Sequence, residues 1–370
     1  MPYRLGAVGF GHWFERLYAG MARTDLVRLA KVAGVSGIEG KAERLKLVGI
    51  TKDNYYRMDP TGPLPEEFFD GLDIVHISDP NKFHAMQTIQ SLEAGKKTIT
   101  EKAWGVNKEE FYSVVNYIRK NKLENSAYLH LHYLHKLLTV GLPGVLKRFE
   151  GEHGRITGVS ATFFETLREE DKRRSGWLFS MENGGLFMDW IHPFEIFYSG
   201  TRASSVTLDD VSLYAIEKDY DQKNPTGIEA RISLTGSHFT GSVTGSVRIA
   251  KGAPVNKKMV RLYLESGAYL ELSYVGAERE ASTGMRGCWS LVKNGVELVT
   301  ECPRGPDTSD LLVGDVLRLA RGEPTEFGID YMEKVFETQW QYQDMQKGKE
   351  LISSGEEVSK FIERGAGLER

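Results

Sequence analysis

Three short segments of the chain carry residues whose types suggest chemistry. The segment Thr100-Glu101-Lys102-Ala103 places a lysine at the end of a strand-like run, and the segment Gly184 to His192 brings Asp189 and His192 into apolar surroundings. Upstream, Val8-Gly9-Phe10-Gly11 ends the first predicted strand with a glycine turn. A glycine turn, a strand-end lysine and a distant Asp/His pair together predict an enzyme that transfers hydride at a carbon bearing a hydroxyl.

The chemistry of that reaction explains the residue types. Oxidation of an alcohol removes the hydroxyl proton while hydride leaves the carbon, so a base that titrates near neutral pH is favoured. The imidazole of His192 has this property, and the charge of Lys102 beside it would acidify the substrate hydroxyl. Lys102 alone would equally fit an exposed strand-end lysine, and a buried Asp189 and His192 need polar partners whether or not they catalyse.

The glycine turn predicts a dinucleotide site. Gly9 and Gly11 permit a close approach of the backbone to a pyrophosphate, and the helix that follows directs its N–H groups at the phosphates. His12 and Trp13 are candidates to flank the nicotinamide or the pyrophosphate. The third glycine of the usual fingerprint is replaced by Phe14, so either this helix sits differently or the ring turns away from the contact.

The end of the second strand favours NADP over NAD. Many NAD-binding proteins carry an acidic residue there, whereas this chain has Val35-Ser36-Gly37-Ile38-Glu39-Gly40-Lys41. Ser36 would donate to a phosphate oxygen, and Lys41 supplies a positive charge for a 2′-phosphate. Lys41 would equally fit a solvated residue in the first turn of a helix, and Glu39 could serve NAD, which therefore stays possible.

Two architectures follow each other along the chain. Residues 1–130 alternate strand and helix signals, which predicts an α/β dinucleotide-binding domain with a doubly wound parallel sheet. In this part Asn81 is expected to cap a helix, as is Asn107. Residues 131–350 contain successive strands with few crossover helices, which predicts an α+β domain with a large open, mostly antiparallel sheet. Residues 351–370 are expected to form a frayed or lightly docked tail.

Composition narrows the function classes. The 370 residues include 41% hydrophobic and 26% charged residues, and the net charge of −4 gives no basis for nucleic-acid binding. No apolar run approaches the ~20 residues of a membrane helix, and the first strand begins too early for a signal peptide. Two cysteines, Cys288 and Cys302, are too few for a disulfide framework or a cysteine-built zinc site. We expect a cytoplasmic, soluble protein without membrane or nucleic-acid partners.

The combination of motifs resembles the Gfo/Idh/MocA family of nicotinamide-dependent oxidoreductases over nearly the whole chain. The counterparts of the family motifs are Gly9-Phe10-Gly11, then Ser78-Asp79-Pro80-Asn81 with His84, then Glu101-Lys102-Ala103, and finally Gly184-Gly185 with Asp189 and His192. The stretch Arg321-Gly322-Glu323-Pro324 before the last predicted long helix also resembles the family. The spacing of Ser36 and Lys41 is similar to that in the NADP-using glucose–fructose oxidoreductase branch.

The resemblance implies a function and a set of site residues. It implies an N-terminal Rossmann domain and a C-terminal substrate-binding and oligomerisation domain. Because a large sheet of this kind often uses one face for its own helices and the other for a neighbouring subunit, we expect a homodimer or homotetramer formed through the C-terminal sheet. It implies an NADP-dependent oxidoreductase that moves hydride between the nicotinamide and a hydroxyl-bearing carbon of a sugar, inositol or related polyol. The implied catalytic residues are Lys102, Asp189 and His192. The candidate cofactor contacts are Gly9, Phe10, Gly11, His12, Trp13, Ser36, Gly37, Lys41, Ser78, Asp79, Pro80, Asn81, His84, Glu101 and Lys102, and the candidate substrate contacts are Lys102, His132, Trp177, Asp189 and His192.

Three departures from the family pattern keep alternatives open. Ala103 stands where the family has proline, often after a cis bond, and because a cis bond before alanine costs ~2.5–4 kcal/mol, the sequence leaves both a cis and a trans Lys102-Ala103 bond open. Asp189 and His192 are three residues apart instead of four, and Pro193 makes a helix start at His192 plausible. Phe14 is the third departure. The alternatives are an oxidoreductase that keeps its cofactor bound while it shuttles hydride between two sugars, and a nicotinamide-binding regulatory or assembly protein without turnover.

Two further features carry less weight. His130, His132 and His135 cluster near Tyr133, and on a strand the first two would share a face. A metal site needs additional ligands in a defined geometry, so we expect these histidines to line a cleft or to be satisfied in the core, and we expect no metal. Trp177 could stack on a sugar ring or anchor the core.

Overall fold

The fold is described from a computed structural model of the 370-residue chain. The structure describes residues 1–59, 61–167, 180, 185–216, 224–275, 284 and 286–367, without the side chains of His12, Trp13 and Phe187. Within these residues, no helix combines the length and the apolar composition that crossing a membrane requires. The chain divides into two compact units, and each is treated by itself below.

The first unit comprises residues 1–131 and 308–332 and contains a six-stranded, entirely parallel sheet. The strand order is β3-β2-β1-β4-β5-β6. Strands β1 to β3 therefore extend from the middle of the sheet to one edge, and strands β4 to β6 extend to the other edge. All four residues of β4 are buried, as expected for a parallel strand covered on both faces. The doubly wound parallel sheet predicted from the sequence is confirmed. The strands are β1 (Tyr3–Val8), β2 (Val27–Gly34), β3 (Tyr55–Arg57), β4 (Ile74–Ile77), β5 (Lys97–Glu101) and β6 (Ala127–His130).

Two residues of this unit, Asn81 and Asn107, are predicted to cap helices. The side chain of Asn107 accepts a hydrogen bond of 2.8 Å from the backbone N–H of Glu110, which confirms the predicted cap. The expected cap at Asn81 is wrong, because Asn81 opens a single 3₁₀ turn and the α-helix starts only at His84. The helices are α1 (His12–Ala22), α2 (Ala42–Leu47), α3 (His84–Glu93), α4 (Lys108–Asn121) and, near the C-terminus, α8 (Thr308–Ala320).

The second unit comprises residues 132–307 and 333–370 and contains a nine-stranded sheet. Its order is β14-β13-β12-β11-β7-β10-β9-β8-β15, and all neighbours are antiparallel except β7 with β10 and β8 with β15. The predicted large, mostly antiparallel sheet is therefore confirmed. Its strands are β7 (Ile156–Glu165), β8 (Ala203–Tyr214), β9 (Gly227–Gly236), β10 (Val243–Lys251), β11 (Lys257–Leu264), β12 (Tyr269–Ser273), β13 (Cys288–Lys293), β14 (Val296–Glu301) and β15 (Leu351–Ile352).

The helices of the second unit include one that the sequence analysis did not predict. Residues 351–370 were expected to be a frayed or lightly docked tail, but β15 and α10 occupy this segment. Phe361 of α10 is fully buried and stacks on Tyr214 with 4.2 Å between ring centroids. The helices are α5 (Leu137–His153), α6 (Phe187–Trp190), α7 (His192–Glu195) and α10 (Gly355–Ala366), while α9 (Ile329–Met345) contains the division between the units.

The chain returns to the first unit after completing the large sheet. The predicted boundary at residue 130 lies one residue from the observed one, but residues 308–332 were expected in the second domain and lie in the first unit. The reason is the packing of α8 on α1, where Ser309 lies against Gly20 and Asp310 forms an ion pair with Arg23. Gly20 has no Cβ, which allows this close approach.

The two cysteines form a disulfide across the β13–β14 hairpin. Cys288 begins β13, and Cys302 directly follows β14. The turn between these strands places Asn294 and Gly295 at positive φ, as in a tight hairpin turn. Neither the two strands nor the disulfide was predicted from the sequence.

Candidate active site

The glycine turn between β1 and α1 lies against the segment that follows β4. Gly9 has a φ of +81°, and a Cβ atom at this position would lie 2.9 Å from the backbone nitrogen of Asp79. The hydroxyl of Ser78 donates to the carbonyls of Val8 and Gly9 at 3.2 Å each, which ties the two segments together. A Cβ at Gly11, in contrast, would have no neighbour within 4 Å. Position 9 requires glycine because of its positive φ and its close contact with Asp79. At position 11, the absence of a side chain leaves space beside the backbone for a ligand.

The first turn of α1 has the features of an anion site. Gly11 is the N-cap residue and provides no side-chain cap, so the first N–H groups of the helix are not satisfied by it. The orphan N–H groups and the positive end of the helix dipole favour a phosphate here. The residues of the turn therefore fit the pyrophosphate of a dinucleotide.

Phe14 stands at the position of the third glycine of the usual fingerprint and is accommodated in the core. Its ring is completely buried, and its centroid lies 5.3 Å from that of His76 on β4 and 5.7 Å from that of Phe10. The helix thus packs on the sheet through an aromatic ring instead of through a close glycine contact.

The loop after β2 is shaped by its own side chains. Tyr55 donates its hydroxyl proton to the carbonyl of Ser36 over 2.5 Å, and the carboxylate of Glu39 lies over Gly37. Ser36 and Glu39 are exposed, and Lys41 is half-buried at the start of α2. Arg44, which the sequence analysis did not single out, forms an ion pair with Glu15 and lies 5.8 Å from the centroid of the Phe10 ring.

Asp79 and His84 connect the segment after β4 to the segment after β5. One ring nitrogen of His84 lies 2.9 Å from the carbonyl oxygen of Asp79, and the other lies 2.9 Å from that of Ala103. Gln87 donates to the Asp79 carboxylate over 2.8 Å, and burial raises the pKa of Asp79. Of the predicted cofactor contacts, Asp79 and His84 are thus engaged with protein groups, while Pro80 and Asn81 begin the 3₁₀ turn before α3.

Glu101 is held by two buried histidines. The same carboxylate oxygen of Glu101 lies 2.7 Å from Nδ1 of His130 and 3.2 Å from Nε2 of His76. Burial acts to raise the pKa of Glu101, but the two imidazoles outweigh it and hold this pKa far below its usual range. Burial lowers the pKa of His76. The cluster fixes the end of β5 immediately before Lys102.

Lys102 follows this cluster as a half-buried residue. The peptide bond between Lys102 and Ala103 is cis, which decides between the two geometries that the sequence left open. Ala103 itself is fully buried, and its carbonyl meets His84 as described above.

In the second unit, His192 is placed between two carboxylates. Nδ1 of His192 lies 2.8 Å from Glu195 Oε1, and Nε2 lies 3.5 Å from Asp189 Oδ1. The three-residue spacings work because α6 ends at Trp190 and α7 begins at His192, with Pro193 in its first turn. Glu195 is completely buried, and its other oxygen accepts a hydrogen bond of 2.8 Å from the backbone N–H of Tyr133. Glu195 was not among the residues predicted for the site, although the sequence places it three residues after His192.

Aromatic rings surround the imidazole of His192. The ring centroids of His132 and Tyr133 each lie 4.6 Å from it, and that of Phe163 lies at 6.4 Å. His132, which is predicted to contact the substrate, is therefore a neighbour of His192. The expectation that His130 and His132 share a strand face is wrong, because β6 ends at His130 and His132 opens a 3₁₀ turn in the second unit.

A set of alternating charges continues from Asp189. Lys251 at the end of β10 binds the second oxygen of Asp189 with its Nζ at 2.5 Å, and Lys258 on β11 forms an ion pair with Glu165 on β7. Nothing in the sequence pattern links these residues to the Asp/His pair, because they come from three separate strands.

Some of the residues predicted for the site are not among those that the structure describes. Trp177 and Gly184 fall outside the described residues, as do the side chains of His12 and Trp13. Among the residues that the structure does describe, no group of three or more His, Cys, Asp or Glu side chains is arranged to hold a metal ion.

The fold is shared with solved oxidoreductase structures at low sequence identity. An aldose-aldose oxidoreductase from Caulobacter crescentus, complexed with glycerol, matches with a TM-score of 0.72 and 15% identity over 94% of this chain and 99% of that one. KijD10, a 3-ketoreductase from Actinomadura kijaniata in complex with TDP-benzene and NADP, matches with a TM-score of 0.71 and 16% identity over 96% and 100% of the two chains. UDP-N-acetylglucosamine 3-dehydrogenase GnnA from Acidithiobacillus ferrooxidans matches with a TM-score of 0.65 and 14% identity over 93% and 98%.

Sequence comparisons add no closer relative. No protein-family model matches the chain, and no curated protein sequence matches it. The structural matches extend over nearly the full length of each chain, so the chain has the two-part fold of these sugar oxidoreductases.

Proposed function

We propose that the chain is an NADP-dependent oxidoreductase that transfers hydride between the nicotinamide and a hydroxyl-bearing carbon of a sugar, inositol or related polyol. The observation that carries the proposal is the placement of His192 between the carboxylates of Glu195 and Asp189 in a fold shared with sugar oxidoreductases. An imidazole held on both ring nitrogens has a defined orientation and a nearby proton acceptor, which suits acid–base catalysis.

The dinucleotide part of the proposal is supported by the glycine turn of the first unit. The open space at Gly11 and the uncapped first turn of α1 fit a pyrophosphate, and Ser36 with Lys41 provides a hydroxyl and a cation for a 2′-phosphate. The carboxylate of Glu39, which lies over Gly37, would repel this phosphate in its present position. Because Glu39 is exposed and its side chain is flexible, the carboxylate can move away when the phosphate binds. When bound, the nicotinamide supplies the hydride acceptor or donor of the reaction.

The protein groups have separate roles in this proposal. His192 takes the hydroxyl proton during oxidation and returns it during reduction, and Asp189 and Glu195 orient its ring. The ammonium group of Lys102 stabilises negative charge that develops on the substrate oxygen. Glu101 acts by fixing the backbone before Lys102 through its two histidine partners.

We also propose a homo-oligomer formed through the large sheet. A groove of about 460 Å³ lies on this sheet, bordered by polar side chains that include Ser160, Arg231 and Ser246. A broad sheet with one such open face is suited to pack against a second copy. Light scattering of the purified protein should give the mass of a dimer or a tetramer, and a monomer at micromolar concentration would refute this part.

The test of the function is a substrate panel with NADP. Aldoses, inositols and polyols are offered one at a time, and reduced nicotinamide is followed by its absorbance, with Lys102→Ala as the site variant. Lys120→Ala is the matched control, because Lys120 is an exposed lysine of α4 in the same unit.

Turnover that disappears in Lys102→Ala but persists in Lys120→Ala supports the proposal. Saturable NADP binding without turnover on any member of the panel would instead favour the nicotinamide-binding regulator. Absence of binding to both NADP and NAD would refute the assignment of the glycine turn.

A further inference from the structure

A lysine on the large sheet contacts the carboxylate that contacts His192. Strands β7 and β10 run parallel, and their last residues, Glu165 and Lys251, are register partners. The backbone N–H of Gly252 donates to the carbonyl of Glu165 at 2.9 Å, which holds the two strand ends together. Lys251 therefore projects from a rigid element of the fold.

The ammonium group and the imidazole share one carboxylate. Lys251 Nζ lies 2.5 Å from Oδ2 of Asp189, and His192 Nε2 lies 3.5 Å from Oδ1. Only 13% of the Lys251 side chain is exposed. Burial acts to lower the pKa of Lys251, but the carboxylates of Asp189 and Glu165 outweigh it and raise this pKa. The lysine is therefore charged at neutral pH.

We infer that Lys251 is a positioning residue, which fixes the Asp189 carboxylate and limits how strongly this carboxylate stabilises a protonated His192. The inference rests on the proposed role of His192 in hydride transfer. The contact of the ammonium group is the shorter one, so Asp189 interacts more strongly with Lys251 than with His192. The ammonium group thereby competes with a protonated His192 ring for this carboxylate.

Other titratable and charged groups near His192 belong to several elements. Glu195 of α7 binds the opposite ring nitrogen, so it acts in wild type and variants alike. The remaining titratable or charged neighbours, directly or one contact away, are His132 and Tyr133 of the 3₁₀ turn, Glu165 of β7, Lys258 of β11 and Tyr274, whose ring contacts Tyr133.

Lys258 provides a matched control. It is a lysine on the neighbouring strand of the same sheet, and it forms an ion pair with Glu165 instead of Asp189. Both lysines lower the pKa of Glu165 against the opposing effect of its burial, so removing either one perturbs that carboxylate. Only Lys251 also binds Asp189.

The experiment compares Lys251→Met, Lys251→Arg and Lys258→Met with the wild type. The first readout is the pH dependence of kcat/KM for oxidation of a substrate found in the panel. The second is an NMR titration of the His192 ring, assigned with His192→Gln, which requires no turnover. Thermal unfolding establishes that each variant is folded.

In Lys251→Met, Asp189 loses its ammonium partner, so its negative charge stabilises the protonated His192 ring more strongly. We expect the acid limb of the profile and the NMR midpoint of His192 to move up by about one pH unit, with a loss of kcat/KM that reaches about tenfold at pH values below both midpoints. Lys251→Arg should restore the wild-type midpoint, and Lys258→Met should leave it unchanged.

An unchanged midpoint in folded Lys251→Met, or equal shifts in the Lys251→Met and Lys258→Met variants, would overturn the inference. If Lys251→Met does not fold, the midpoint in Lys251→Arg decides, because a shift in a variant that keeps the charge would also overturn it. If no substrate is turned over, the proposed function fails, while the NMR titration still tests the role of Lys251.

Discussion

At the scale of single residues, each buried carboxylate of the candidate site has more than one partner. Glu101 is bound by His76 and His130 in the first unit. Glu195 is bound by His192 and by a backbone N–H in the second unit. Such pairing offsets the cost of removing charge from water, and it leaves little freedom to the residues that carry the proposed chemistry.

The open space at Gly11 predicts a variant that folds but binds the cofactor poorly. In Gly11→Ala, the new methyl group meets no protein atom within 4 Å and the φ of −96° suits alanine, so the free energy of unfolding should change by less than about 0.5 kcal/mol. The methyl group would obstruct a pyrophosphate, and the Kd for NADPH, measured by fluorescence titration, should rise at least about tenfold.

The contrasting variant is Gly9→Ala. Its Cβ would lie 2.9 Å from the backbone nitrogen of Asp79, at a φ of +81°, so we expect a loss of about 1–3 kcal/mol in stability. Unchanged NADPH affinity in Gly11→Ala would mean that the pyrophosphate does not approach this turn.

The cofactor preference is tested at Lys41. In Lys41→Glu, a charge that would attract the 2′-phosphate becomes one that repels it, so the Kd for NADPH should rise about 10–100-fold while that for NADH changes little. Lys46→Glu on the exposed face of the same helix is the control and should alter both affinities alike. Equal losses for the two cofactors in Lys41→Glu would exclude a role of this lysine in their discrimination.

Acid should destabilise the protein through His76. Burial lowers the pKa of His76 in the folded state, so the unfolded chain takes up a proton first as the pH falls below about 6.5. The free energy of unfolding should therefore fall by up to about 1.4 kcal/mol per pH unit below this value. Glu101, whose folded-state pKa is depressed, contributes stability above about pH 4.3 and loses it only at lower pH.

Urea unfolding of wild type and His76→Gln at pH 8 and pH 5 measures this effect. The variant keeps an N–H donor for Glu101 but lacks the titrating ring, so its stability should depend less on pH between these two values. The same pH dependence in both proteins would show that His76 does not contribute.

The sequence identified some of these residues and missed others for a physical reason. Gly9, Lys102 and His192 belong to local motifs in which a turn or a strand end determines the residue type. Lys251 and His76 act through contacts with residues distant in the chain, and a lysine or histidine within a strand carries no local signal of such a contact.

At the scale of elements, strong hydrophobic periodicity predicted most of the strands and the long helices, whereas elements with a short or weak pattern were not predicted. β3 has three residues, and β14 is exposed at every position, so neither shows the alternation of a half-buried strand. The helix α10 was missed because residues 351–370 are rich in charge, although three apolar positions on one face suffice to dock it.

The docking of α10 predicts a large effect of one substitution. Phe361 is fully buried between Tyr214 and Phe164, at ring distances of 4.2 and 5.3 Å, so Phe361→Ala should lower the free energy of unfolding by about 3 kcal/mol. Glu363→Ala, on the exposed side of the same helix, should cost less than about 0.5 kcal/mol. Equal stabilities of the two variants in urea unfolding would contradict a docked helix.

At the scale of the whole molecule, the fold class was accessible from the sequence, and the path of the chain between the units was not. The alternation of strands and helices, followed by consecutive strands, predicted both sheets. The return of residues 308–332 to the first unit depends on the contact of Ser309 with Gly20, which links positions far apart in the chain. The disulfide was missed because two cysteines give no pattern; such a bond is more typical of oxidising compartments than of the expected cytoplasm.

The most direct test of the account is the transfer of a labelled hydrogen. A sugar or polyol that binds is prepared with deuterium on its hydroxyl-bearing carbons and incubated with NADP, and the nicotinamide is examined by NMR for deuterium at carbon 4. We expect transfer by the wild type, with the rate lowered at least about 100-fold in Lys102→Ala and in His192→Gln. Saturable binding of NADP and of the sugar without any transfer of deuterium would contradict it.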